Sequence, residues 1–172
     1  MGPRAEPIIA DAGLSGALQI LGIWLATGYV APNPGAAVVF VAGEGIVLMT
    51  LALLLSTRLA PMTGGVIALV LFFVAWIGGI ALTIGQTFGN DTITNIGLGS
   101  RLLIPTDGLW HGAIYYLEPS DILAASRAVG RARAGNPFFA DSPLPLSYIL
   151  WVLVWLGGLL GLANWSFGRR DL

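Results

Sequence analysis

The stretch MTGGVIALVLFFVAWIGGIALTIGQTF, residues 62–88, decides the fold. It holds apolar side chains far beyond the length of a buried strand. About 20 such residues in a helix rise far enough to cross a bilayer core of about 30 Å. This segment is long enough to cross with tilt. Working outward, three more segments of that kind appear. Residues 36–56 precede it, interrupted by Glu44, and are closed by Thr57-Arg58-Leu59-Ala60-Pro61, with Arg58 placed to meet headgroups. Residues 12–31 lie before that, and Pro32-Asn33-Pro34-Gly35 is too short for anything but an antiparallel return. Residues 146–165 form the fourth, with Trp151, Trp155 and Trp165 spaced along it. The expected fold is an all-α integral membrane protein of about four transmembrane helices.

Composition agrees. Of 172 residues, 56% are hydrophobic and 10% charged, and the mean hydropathy is +0.82. Soluble domains carry roughly 25% charged residues, so these charges could not cover a water-facing surface. The 24 glycines and 10 prolines fit membrane helices, where both are enriched. A net charge of −1 gives no basis for binding nucleic acid. The chain has no lysine and no cysteine, which excludes a disulfide framework and a thiolate metal site. Residues 1–11 hold Arg4, Glu6 and Asp11 before any apolar run, unlike a signal peptide, and Glu6 does not fit an N-myristoylation motif.

Residues 89–145 form a long mixed segment between the third and fourth spans. Gly89-Asn90-Asp91 signals a turn. Leu109 to Glu118 is expected to form a short amphipathic helix capped by Asp107, with Trp110, Ala113, Ile114 and Leu117 on one face. Ser120 is expected to cap a second helix to about Ala134, with Arg127, Arg131 and Arg133 near its negative end, and Gly135-Asn136-Pro137 to stop it. Both pieces are too polar to span; they lie at the interface or dip in and return. Arg4, Arg58 and Arg169-Arg170 share one side of the predicted topology, while the Pro32–Gly35 turn carries no cation. The positive-inside rule then puts both termini in the cytoplasm and the long loop outside.

Among polar residues Glu44 stands out, because a carboxylate at the centre of a bilayer costs several kcal/mol. Two readings stand: a translocation-path or proton-relay group facing the bundle interior, and a protonated or hydrogen-bonded packing residue. Gln19 and Gln86 are weaker candidates of the same kind. Small residues at four-residue spacing, Gly157 with Gly161, Gly85 with Gly89 and Gly22 with Ala26, suit close helix packing. His111, the lone histidine, lacks partners for a metal cluster and is expected at the interface beside Trp110. Neither a catalytic constellation nor a GxxxxGK[ST] phosphate loop is present, so any ATP hydrolysis falls to another chain and no cofactor is expected.

Three stretches resemble the permease subunits of bacterial exporter-type (type-2) ABC transporters. Residues 56–65, Ser-Thr-Arg-Leu-Ala-Pro-Met-Thr-Gly-Gly, are similar to a short cytoplasmic link between late spans. Leu103-Ile104-Pro105-Thr106-Asp107-Gly108-Leu109-Trp110, with the Tyr-rich run to Pro119, resembles the motif after the penultimate span. Residues 164–172, from Asn164 to Leu172, resemble the family's basic-acidic tail. The resemblance implies a multi-pass cell-membrane permease that dimerises with itself or a second permease chain and pairs with a cytoplasmic ATP-binding subunit. It implies a 12–165 permease domain between a cytoplasmic segment at 1–11 and a tail at 166–172. It also implies that Glu44 lines the dimer cavity and that the Leu102–Glu118 region, with Pro105, Thr106, Asp107 and Trp110, forms an outer gate or re-entrant element. Such permeases have six spans; the about four here correspond to the C-terminal portion, as in a fragment or a short form, with residues 1–11 as a remnant of the preceding linker. A non-transporting membrane scaffold is the alternative function.

Overall fold

The computed structural model describes residues 5–168 except 120, 125–135, 137 and 141, with residues 5–13 described by backbone course alone. The described residues form six helices and no strand: α1 (Ala5–Thr27), α2 (Pro34–Ser56), α3 (Pro61–Phe88), α4 (Asp91–Leu103), α5 (Thr106–Leu117) and α6 (Leu146–Gly168). Of these, α2, α3 and α6 are long and apolar enough to cross a membrane. The fully described apolar part of α1, Leu14–Thr27, is shorter than a bilayer requires.

Local chemistry sets the boundaries. Gly28, at φ 69°, ends α1 four residues before the expected end of the first span. The side chain of Asn33 accepts from the backbone N–H of Ala36, and Pro34 occupies the first turn of α2, where its missing N–H costs nothing. Thr57 donates its hydroxyl to the Leu54 carbonyl at 2.7 Å as α2 closes, and Pro61 opens α3. Gly89, at φ 66°, stops α3. Asn90 then caps α4 by accepting from the Ile93 N–H at 3.1 Å.

The turn at Gly89-Asn90-Asp91 therefore leads straight into a helix, α4, where the sequence suggested loop. Helix α4 runs antiparallel to α3: Gly85 faces Thr94, Gly97 faces Leu82, and Gly78 faces Ser100. A Cβ on Gly78, Gly85 or Gly97 would collide with its neighbour, so the two backbones touch where glycine allows it. Helix α5 returns antiparallel to α2, with Leu109 against Gly43 and Gly112 under the ring of Phe40. Phe40 also stacks on Tyr116 at 5.7 Å. Together α4 and α5 make a helical hairpin whose two outer ends meet the α1–α2 and α3–α4 connections. At 13 residues, α4 carries the chain about 20 Å down the flank of α3 before it turns.

Side-chain size sorts inward and outward faces. Buried positions on α3 are Gly64, Ala68, Ala75, Gly78, Gly79, Leu82 and Gly85. Bulky Leu69, Val70, Phe73 and Ile77 are exposed, as a lipid-facing surface requires. Val47, Leu109 and Val152 form the central cluster that joins α2, α5 and α6. At the far end of the bundle, Arg58 donates to Ser166 Oγ at 3.2 Å and Ser166 to Thr57 Oγ1 at 3.0 Å, tying the α2–α3 turn to the end of α6. Gly22, Gly157 and Gly161, expected at close helix contacts, meet nothing within 4 Å in this chain.

Two further expectations need correction. Helix α5 begins at Thr106 rather than Leu109; Pro105 is its N-cap, and Asp107 lies in the first turn without capping. The buried face of α5 carries Leu109, Gly112 and Ala113 while Trp110 is 37% exposed, because α2 approaches at the small Gly112. The proposed Ser120–Ala134 helix, with Arg127, Arg131 and Arg133, lies outside the described residues except for a helical turn at 121–124. Arg169 and Arg170 and the side chains of Arg4, Glu6 and Asp11 also lie outside them.

Candidate functional site at the hairpin bend

Where α4 ends, its last carbonyl groups have no partners within the helix. In water the solvent would satisfy them; within a bilayer each would cost several kcal/mol. Three side chains on one face of α6 supply the donors. Tyr148 donates its hydroxyl to the Arg101 carbonyl at 3.1 Å. The indole N–H groups of Trp151 and Trp155 donate to the carbonyls of Leu102, at 3.1 Å, and Leu103, at 2.8 Å. Their spacing of three and four residues puts all three donors along one stripe of α6. The chain then bends through Ile104 and Pro105, both buried, into α5.

The bend carries charge of both signs. Arg101, in the last turn of α4, meets the negative end of that helix dipole. Asp107, in the first turn of α5, meets the positive end of the other. Arg101 Nε lies 3.7 Å from Asp107 Oδ2, and the Asp107 side chain is 3% exposed. At that distance the pair attracts as charges without forming a hydrogen bond. The Arg101 guanidinium also sits 4.9 Å over the Tyr148 ring. Three buried polar atoms here have no hydrogen-bond partner among the described residues: Arg101 Nε, Thr106 Oγ1 and Asp107 Oδ2.

His111 follows Asp107 by one helical turn. Its Nδ1 lies 2.8 Å from the Asp107 backbone carbonyl and 3.4 Å from Asp107 Oδ1. A carbonyl oxygen only accepts, so Nδ1 carries the proton of the shorter contact. His111 is thus a member of the bend cluster, with its side chain 17% exposed. Its i, i+4 spacing from Asp107 is the signal in the sequence, informative once the helix starts at Thr106.

Backbone removal makes room for the cluster. A Cβ on Gly79 of α3 would collide with the Asp107 carboxylate, and one on Gly108 would collide with the Tyr148 ring. Glu44, half-buried on α2, follows Gly43, which packs against Leu109 of α5. Of the residues singled out from sequence, Pro105, Thr106 and Asp107 lie at the bend, Trp110 flanks it, and Glu44 sits on α2 next to Gly43. Gln19, exposed on α1, and Gln86, exposed two turns above Gly79 on α3, stand apart. Arg101 and Tyr148 are members that sequence reasoning missed.

The outer end of the hairpin is fastened separately. Tyr29 donates its hydroxyl to the Leu117 carbonyl, and the Asn33 N–H donates to the Tyr116 carbonyl at 3.3 Å. Burial, with Glu118 and Asp121 nearby, pushes the Tyr29 phenol above its ordinary pKa. Among the described residues no group of three or more His, Asp or Glu side chains is placed to hold a metal ion. Comparison with protein-family models, curated proteins and solved structures finds no match.

Proposed function

We propose that the chain is the membrane-embedded permease subunit of an ATP-binding-cassette transporter of the exporter type, driven by a separate cytoplasmic ATPase. The observation that carries this reading is the α4–α5 hairpin. It follows the penultimate long helix, packs α4 on α3 and α5 on α2, and holds buried Asp107 at its bend. A helix pair broken at a bend, with ionisable groups on the two facing helix ends, is costly to maintain in lipid and characteristic of substrate pathways. The order of the three resembling stretches points the same way. In this reading α1 completes a fourth span, the chain sits in the cell membrane with both termini in the cytoplasm, and the hairpin opens to the outside as an outer gate. Arg58 and the α2–α3 turn then face the ATPase, and Glu44 borders the path of a dimer.

The second reading is a non-transporting scaffold subunit, favoured by the glycine-mediated contact of α3 with α4, which serves packing alone. Affinity isolation of the tagged chain from native membranes in mild detergent, with mass spectrometry of its partners, separates the two. Recovery of a nucleotide-binding ATPase is the expected result. Repeated recovery of other membrane partners without an ATPase, from preparations that keep other complexes intact, supports the scaffold.

A further inference from the structure

We propose that the hairpin bend binds one water molecule, held between Arg101 Nε and Asp107 Oδ2 as a bridge between the two helix ends. The inference holds for a permease and for a scaffold alike. Arg101 Nε and Asp107 Oδ2 lie 3.7 Å apart, too far for a direct hydrogen bond. Both atoms are buried, and neither has a hydrogen-bond partner among the described residues. Buried polar atoms are satisfied by protein or by ordered water, and a polar contact beyond about 3.5 Å is where a bridging water belongs. Thr106 Oγ1, in the same turn of α5 as Asp107, is a third buried atom of this kind.

Packing on other helices keeps the pair from closing. The Asp107 carboxylate lies against the bare backbone of Gly79 on α3, where any Cβ would collide with it. The Arg101 guanidinium lies 4.9 Å over the ring of Tyr148 on α6, and that ring is seated in turn on Gly108. A direct bond would draw at least one of the two groups off its seat. A water oxygen about 2.9 Å from each atom closes the triangle with bent bonds. The two atoms also select the molecule. A cation between them would meet the guanidinium, and an anion the carboxylate, at short range in a low dielectric. Water accepts from the Nε–H and donates to the carboxylate oxygen. His111, 3.4 Å from Oδ1, contacts the other carboxylate oxygen, so neutral or charged it leaves Oδ2 to the water.

The test is crystallography of the full chain grown from a lipid mesophase, at a resolution that shows ordered water. The expected result is one water-sized density peak within about 3.2 Å of both Arg101 Nε and Asp107 Oδ2. Loss of that peak is expected in Arg101→Met, which removes the N–H that the water accepts from. A wild-type structure in which the two atoms bond directly overturns the proposal, and so does one with no density between them. An ion, a lipid headgroup or a detergent group at that place overturns it as well. A peak that persists in folded Arg101→Met does the same, since the water would then be held by other groups. If that variant does not fold, the wild-type density decides.

Discussion

The indole N–H of Trp155 lies 2.8 Å from the carbonyl oxygen of Leu103, fifty-two residues earlier in the chain. That bond satisfies the last carbonyl of α4, which has no partner within the helix. With Trp151 and Tyr148 it turns a broken helix, otherwise prohibitive in lipid, into a stable one. Replacing Trp155 with Phe keeps most of the ring and removes the donor. The expected cost is about 1–2 kcal/mol, because a helix-end carbonyl loses its only partner where lipid offers no other donor. Trp24→Phe, on the exposed face of α1, is the comparison expected to leave stability unchanged, both read by reversible unfolding in detergent micelles.

Gly79→Ala is expected to destabilise the fold by about 1–3 kcal/mol, since its Cβ would meet the Asp107 carboxylate between two packed helices. Gly65→Ala on the same helix has open space and should be neutral or slightly stabilising. Equal effects at the two positions would contradict the close approach of α3 to the bend.

Removing one member of the Arg101–Asp107 pair leaves the other charge in a nearly dry site. Arg101→Met is therefore expected to cost about 3 kcal/mol or more, and Arg101→Met with Asp107→Leu to cost less than that single change. A double-mutant cycle on thermal or denaturant unfolding reads the coupling. Additive losses would mean that the two groups do not share one environment.

Much of this arrangement was legible before the structure, and the limits of that reading are physical. Apolar length alone located α2, α3 and α6, because lipid demands it. Of the α4–α5 hairpin only α5 was visible, as an amphipathic helix expected over Leu109 to Glu118 beside the Pro105-Thr106-Asp107 motif, since short helices buried in protein need no continuous apolar run. Helix α4 was hidden by its polar residues, Thr92, Thr94, Asn95 and Ser100; two of these, Thr94 and Ser100, pack against glycines of α3 and not against lipid. Arg101 looked like a loop cation for the same reason. Tyr148, Trp151 and Trp155 looked like span aromatics, because nothing in sequence tells which carbonyl groups fifty residues away lack a donor.

The hairpin's outer fastening should depend on pH. The Tyr29 phenol is raised above its ordinary value, so the folded state holds the proton more tightly than the unfolded chain. Its contribution is fully present below about pH 10, the unperturbed tyrosine value, and is lost as pH rises through the higher folded value. Tyr29→Phe is expected to flatten the alkaline decline in stability measured above about pH 10. An unchanged alkaline limb in that variant would contradict the assigned role of the Tyr29–Leu117 bond.

The depth of the bend tests the central claim most directly. The chain has no cysteine, so single spin labels can be introduced at will. One belongs at Leu103, 70% exposed at the bend, and one at Phe88, 79% exposed at the outer end of α3. Electron paramagnetic resonance in lipid nanodiscs then compares collision with oxygen, which concentrates in the bilayer core, with collision with a water-soluble nickel chelate. The hairpin account predicts that the Leu103 label meets oxygen and excludes nickel, with the Phe88 label shallower. A Leu103 label as open to nickel as one at the surface would place the hairpin outside the membrane and remove the basis for a gate or a buried site.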